Sequence, residues 1–175
     1  MITSFGFKSV LALLAVFSGS CATVNDLTSA KATPSETAAQ VAKAGPLPPI
    51  EVVAPTCDYV SVELRFRRES FRSESERDAL IGKGNPITIR VSIARVDRES
   101  GKDNLVEHQT WITASDAIQG WANDYVFRSL GGSTLPRGSY RVIAEVMDSH
   151  PKLEGVRLTL AVVSNFKNSP DWSKC

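Results

Sequence analysis

Acid–base or metal chemistry in this chain of 175 residues would have to start from two histidines. His150 lies in Met147-Asp-Ser-His-Pro-Lys-Leu-Glu-Gly155, with Asp148 and Ser149 beside it. Those are the groups of a nucleophilic relay, but a relay needs side chains converging from separate segments, which immediate neighbours cannot supply. No Gly-x-Ser-x-Gly elbow occurs. His108 falls inside an alternating segment, on the side of Val106, Thr110 and Ile112, where a structural role is expected. Zinc spacing is absent, with neither Cys-x-x-Cys nor His-x-x-x-His. Asp97, Glu99 and Asp103, within Asp97-Arg-Glu-Ser-Gly-Lys-Asp-Asn104, gather oxygen donors and form the best metal candidate, for calcium. Arg98 and Lys102 interleave with them and the Asp-x-Asp-x-Asp-Gly order is missing, so a solvated hairpin turn is expected there. Neither a phosphate-cradling glycine loop nor a dinucleotide fingerprint occurs. These residues predict no enzyme, no metal and no cofactor.

Arginine and the aromatic residues carry a different signal. Arg65, Arg67, Arg90, Arg141 and Arg157 fall on expected outward strand positions. Guanidinium groups form bidentate pairs and stack on rings, which suits an interface. Charged outward positions also block strand-edge pairing, and Glu63, Glu107 and Glu145 are placed to neutralise the face. Trp111, Trp121 and Tyr125 lie in or beside Ser115-Asp-Ala-Ile-Gln-Gly-Trp-Ala-Asn-Asp-Tyr125. Exposed, they would mark a binding site; tucked inward, they would close the core. The candidates for a binding surface are therefore the five arginines with Trp121 and Tyr125. A formal charge of +1 excludes a nucleic-acid footprint, which requires a strong basic excess.

The elements that must position these residues are strands. Val60, Val62, Leu64 and Phe66 alternate with Ser61, Glu63, Arg65 and Arg67. Ile87, Ile89, Val91 and Ile93 repeat the pattern, as do Tyr140–Val146 and Val156–Val162. Strict alternation marks strands dry on one face and wet on the other. Weaker strands are expected at Leu105–Thr113 and Asp124–Leu130. The Asp97–Asn104 loop is expected to join the second and third strands, and Asp148–Gly155 to close a hairpin between the last two. Ser73-Glu-Ser-Glu76 is a capping box that predicts one short helix, stopped at Gly82. The fold class is thus all-β: an antiparallel sandwich with one short helical insertion, spanning residues 57–175.

The amino-terminal third reads differently. Lys8 precedes the apolar run Val10–Phe17, which is far shorter than the ~20 residues a membrane span needs and fits a secretory signal. Residues 21–56 are rich in Ala, Thr, Ser, Lys and Pro and contain no aromatic residue, so a flexible tether is expected. Within it, Thr33-Pro-Ser-Glu36 has capping-box spacing, predicting a marginal helix that ends at Gly45. The stretch Gly45-Pro-Leu-Pro-Pro-Ile-Glu-Val-Val-Ala-Pro-Thr56 reads as a polyproline-like spacer.

The stretch Phe17-Ser-Gly-Ser-Cys21 resembles the bacterial lipobox, with Gly19 and Ser20 matching and Ser18 standing where the family usually has Leu. The resemblance implies that residues 1–20 are a lipoprotein signal and that Cys21 is acylated and anchors the chain to a membrane. With Ala22 rather than Asp following the cysteine, it implies the outer membrane, with the domain facing the periplasm. Acylation of Cys21 would leave Cys57 and Cys175 as a disulfide pair, against the alternative of two separate buried thiols. Such a loop would stabilise the fold by ~4–5 kcal/mol.

Leu135-Pro-Arg-Gly-Ser-Tyr-Arg-Val142 is similar to the strand entry of immunoglobulin-like and C2-like sandwiches. Together with the lipobox, it resembles small proteobacterial lipoproteins that carry one such sandwich. Lipoproteins of this build include immunity proteins against secreted toxins and parts of secretion machines. The absence of a catalytic constellation and the arginine and tryptophan content lead to the expectation of a non-enzymatic module that binds a periplasmic protein, an immunity or inhibitor protein being its narrower form, with no nucleic-acid partner. The alternatives are a structural or assembly lipoprotein of an envelope machine, and a calcium- or small-ligand-binding sandwich.

Overall fold

A computed structural model describes residues 32, 35–96, 105–115, 118–164 and 170–175. Ten strands run in the order β1 (Ser35–Ala39), β2 (Gly45–Pro46), β3 (Ile50–Ala54), β4 (Asp58–Arg67), β5 (Ile87–Val96), β6 (Leu105–Ser115), β7 (Gly120–Trp121), β8 (Tyr125–Leu135), β9 (Gly138–Val146) and β10 (Leu158–Ser164). One helix, α1 (Glu74–Ile81), lies between β4 and β5. The first sheet has the order β1-β10-β4-β8-β7, and the second the order β2-β9-β5-β6, with β3 also on β9. Every pairing is antiparallel. The chain is an all-β antiparallel sandwich with one short helix.

The core is the sum of the alternating faces. Val60, Val62, Leu64 and Phe66 of β4 meet Ile89, Val91 and Ile93 of β5, Val142 and Val146 of β9, and Leu160 and Val162 of β10, all essentially inaccessible to water. Each such side chain contributes roughly 1.5–3 kcal/mol relative to exposure. Tyr140 is buried too, and its hydroxyl donates 2.7 Å to the Pro136 carbonyl four residues upstream. A buried phenol requires such a partner, and this one pins the entry into β9.

The predicted tether is corrected over residues 35–54. β1 pairs with β10, and β3 pairs with β9. Neither the helix expected after Thr33 nor the polyproline spacer forms. Ile50, Val52 and Ala54 are buried while Glu51 and Val53 face outward. The sandwich therefore includes residues 35–54 as well as those from Cys57, and this segment crosses from one sheet to the other. Pro48 and Pro49 interrupt it between β2 and β3, at the edge of β9, where a missing N–H costs no central ladder bond.

A second correction concerns Asp148–Gly155. β9 belongs to the second sheet and β10 to the first, so the loop is a crossover between sheets and not a hairpin turn. β9 is already flanked by β5 on one side and by β2 and β3 on the other, which leaves β10 to pair with β4 and β1. The β5–β6 hairpin forms as expected.

Helix α1 carries its predicted cap. Ser73 is the N-cap, its hydroxyl accepting from Glu76 N at 3.1 Å, while Glu76 accepts from Arg72 N at 2.6 Å. Gly82 ends it. Its carboxyl end is held by Arg128 of β8, an arginine at 0% exposure. That guanidinium donates to the carbonyls of Asn85 at 2.8 Å, Gly82 at 3.3 Å and Ile81. A cation at a helix carboxyl terminus also meets the favourable end of the helix dipole.

Candidate binding surface

The outward side chains of the two sheets define two separate surfaces. Arg65 and Arg67 stand on the outer face of β4 in the first sheet, with Arg157 just before β10. Arg90 of β5 and Arg141 of β9 stand on the outer face of the second. The five arginines are not brought together.

Each of them meets a carboxylate. Arg65 reaches Glu63 at 3.0 Å and Glu36 at 3.5 Å, and its guanidinium lies 4.6 Å from the Tyr125 ring centroid. Arg67 pairs with Asp124. Arg90 meets Glu145 at 3.1 Å, Arg141 meets Glu51 at 2.7 Å, and Arg157 meets Glu69 at 2.5 Å. Glu63 and Glu145 thus neutralise arginines as the sequence suggested. Glu36, Glu51 and Glu69 were not anticipated, since two of them come from the segment read as a tether. The result is a set of ordered ion pairs rather than a cationic field.

The aromatic candidates separate. Trp111 is half-buried, its indole N–H donating 2.9 Å to the Leu130 carbonyl. Tyr125 packs under Arg65. Trp121, in the two-residue edge strand β7, is 72% exposed.

The second sheet adds apolar residues to this picture. Ile112 of β6 is 60% exposed, Ile143 of β9 41% and Val53 of β3 43%. Register places Arg90 between Ile112 and Glu145, and Ser92 between Thr110 and Ile143. The outer face of the second sheet therefore presents two isoleucines around the Arg90–Glu145 pair, with Arg141–Glu51 and Val53 continuing it. Alternation gave a signal for Ile143, which stands between Arg141 and Glu145 on one face of β9, but none for Ile112, which shares its face with Val106 and Ala114.

An open groove of ≈560 Å³ lies in the other sheet, between the end of β1 and the segment entering β10; Ala39, Val41, Leu153, Val156 and Leu158 line it, with Arg67 at its margin. A smaller cavity of ≈280 Å³ lies beside His150, Asn85 and Pro86. His150 Nε2 is buried and has no hydrogen-bond partner among the described residues. Burial holds the imidazole below its ordinary value; Asp148 opposes this and Arg128 adds to it. Ser149 Oγ accepts from Ala44 N at 3.1 Å, a structural bond that ties the crossover to the β1–β2 connection.

Among the described residues no cluster of three or more metal-ligating side chains occurs. Asp97, Glu99 and Asp103 lie outside the described residues, as does Cys21. His108 pairs with Ala94 in the β5–β6 ladder. Cys57 and Cys175 stand at disulfide distance, their Cα atoms 5.9 Å apart across 118 positions of chain. Among the described residues, no helix is long and apolar enough to cross a membrane.

No family model matches the chain, and no curated protein matches it. A solved structure does. A crystal structure of a protein from Sulfurospirillum deleyianum is similar to this chain at a TM-score of 0.60 and 11% identity, over 77% of this chain and 98% of that one. At such identity the likeness shows the fold alone, and it extends to nearly the whole of the other protein.

Proposed function

We propose that this protein is an exported lipoprotein, anchored through Cys21 to the outer membrane and facing the periplasm, whose sandwich binds another protein without catalysing a reaction. The observation that carries the binding role is the outer face of the second sheet, where Ile112 and Ile143 are exposed around the Arg90–Glu145 pair. Apolar residues flanked by arginine and ordered charge match the make-up of protein interfaces. The Cys57–Cys175 pair, formed as a bond in an oxidising compartment, fits the exported location.

The test is affinity capture of the acylated protein from envelope extracts, run beside the variant I112E/I143E. A protein retained by the wild type and lost by the folded variant supports the reading. Equal retention by both removes this face from it. Intact mass decides acylation independently of capture.

The groove beside β1 favours a second reading, a small apolar ligand, since its ≈560 Å³ falls in the size range of ligand sites. Binding of a fluorescent fatty acid, blocked in Val156→Arg, would support it.

A further inference from the structure

The positions of Ala32, the paired cysteines and Trp172 decide which end of the sandwich faces the membrane. Ala32 N donates 2.9 Å to the buried Asp58 carboxylate at the start of β4. Asp58 pairs with Leu135, the last residue of β8. Cys57 precedes Asp58 and stands against Cys175. Asp171 N donates 2.9 Å to Thr134 Oγ1 on β8. The incoming chain, the cysteine pair and the carboxyl terminus therefore meet at one end of the first sheet.

That end carries the side chains of a membrane interface. Trp172, in a single 3-10 turn at Trp172–Lys174, is 69% exposed. Lys174, 4.0 Å from the Asp171 carboxylate, and Arg137, in the β8–β9 turn, are exposed at the same end. Indole rings settle at the headgroup level, and basic residues are drawn to anionic lipid surfaces. Asp171 accepts from Ser173 N and Oγ, which orders the turn that carries the ring.

Chain length favours this orientation. Cys21 precedes Ala32 by eleven positions, a length of chain that spans at most ~40 Å. Trp121 pairs with Val126, which pairs with Phe66, eight positions along β4 from Asp58. At the rise of a strand this is ~27 Å from the Ala32 end. Bringing the Trp121 end to the bilayer would take up about two thirds of that span, whereas the Trp172 end lies where the chain from Cys21 arrives.

We infer that the sandwich stands on a phospholipid bilayer by its Cys57–Cys175 end, with Trp172 in the headgroup layer and Trp121 held away from it. This rests on the acylation of Cys21 proposed above. The full-length acylated protein is reconstituted in vesicles of phosphatidylethanolamine and phosphatidylglycerol with brominated acyl chains, and tryptophan emission is read in W121F and in W172F. Quenching is expected in W121F and lost in W172F, with Trp111 a common background. An acylated protein whose quenching persists in W172F, or is absent from both variants, overturns the orientation alone. A chain without acyl groups by intact mass overturns the anchor, and this inference with it.

Discussion

Trp111 of β6 donates its indole N–H to the carbonyl of Leu130 on β8, at 2.9 Å, joining the edge of the second sheet to the first. Leu130 is the extra residue where the β4–β8 register shifts between Val62 and Glu63, so a bulge aims its carbonyl outward from the ladder. Gly131 follows at φ 137°, and a Cβ there would lie 2.6 Å from the indole nitrogen. The bulge, the glycine and the tryptophan form one unit. Gly131→Val is expected to destabilise the protein by about 2–4 kcal/mol, through backbone strain and a displaced indole. Denaturant unfolding checks this, and an unchanged midpoint would sink the account.

Arg128 should prove far more important to stability than any surface arginine. Arg128→Met leaves the carbonyls of Ile81, Gly82 and Asn85 without their donor. A loss of about 3 kcal/mol or more is expected. Arg128→Lys should recover little of it, because one ammonium cannot reproduce the fork. Urea titration followed by circular dichroism is the measurement.

The surface ion pairs should rank by exposure. Arg90 is 44% exposed and meets one carboxylate, so Arg90→Ala should cost at most about 0.5 kcal/mol. Arg65 is 17% exposed, meets two carboxylates and packs on Tyr125. Arg65→Ala should cost about 1–2 kcal/mol, part of it lost packing. A double-mutant cycle with Glu63 reads the coupling directly.

Stability should fall on acidification through His150. Its folded-state value lies below the ordinary 6.5, so near and below that pH the unfolded chain binds the proton more readily than the folded one. The stabilisation is present in full above about pH 6.5 and is lost as pH drops through the folded value. Melting temperature measured from pH 7.5 down to pH 5 should decline, with a shallower slope in His150→Gln. Equal slopes would assign the acid sensitivity to other groups.

Reduction of the Cys57–Cys175 pair, or Cys57→Ser, should lower stability by about 4–5 kcal/mol, given the long loop it closes. Unfolding with and without reductant measures this. The Trp172 turn should loosen first, seen as a red shift in its emission.

Much of this architecture was legible along the chain. Four alternating segments became β4, β5, β9 and β10 and two weaker ones became β6 and β8, because period two records the demand of each strand for one dry face. The capping box at Ser73 was equally readable, since it concerns four adjacent residues. Residues 50–54 carried a short alternation that the surrounding prolines obscured. β1 had almost no pattern to read: its Ser, Glu, Thr and Ala become a strand through the backbone of β10, more than a hundred positions away.

The candidate site divides in the same way. Outward placement of Arg65, Arg90 and Arg141 followed from alternation, whereas the exposure of Ile112, on the side of β6 where a structural role was expected, did not. Arg128 was visible only as a charge on the apolar side of Val126 and Leu130, and its partners lie in a loop and helix end that no local pattern connects to β8.

The sequence alone determined where the alternating faces of four strands lie and where one helix starts and stops. Only the tertiary structure decided which strands share a sheet, that residues 35–54 belong to the sandwich, and that the arginines spend their charge on carboxylates from distant segments. The reason is physical. Burial preference and capping are properties of neighbouring residues, whereas ladder pairing and ion pairing are settled by whichever distant backbone and side chain the folded chain brings within reach.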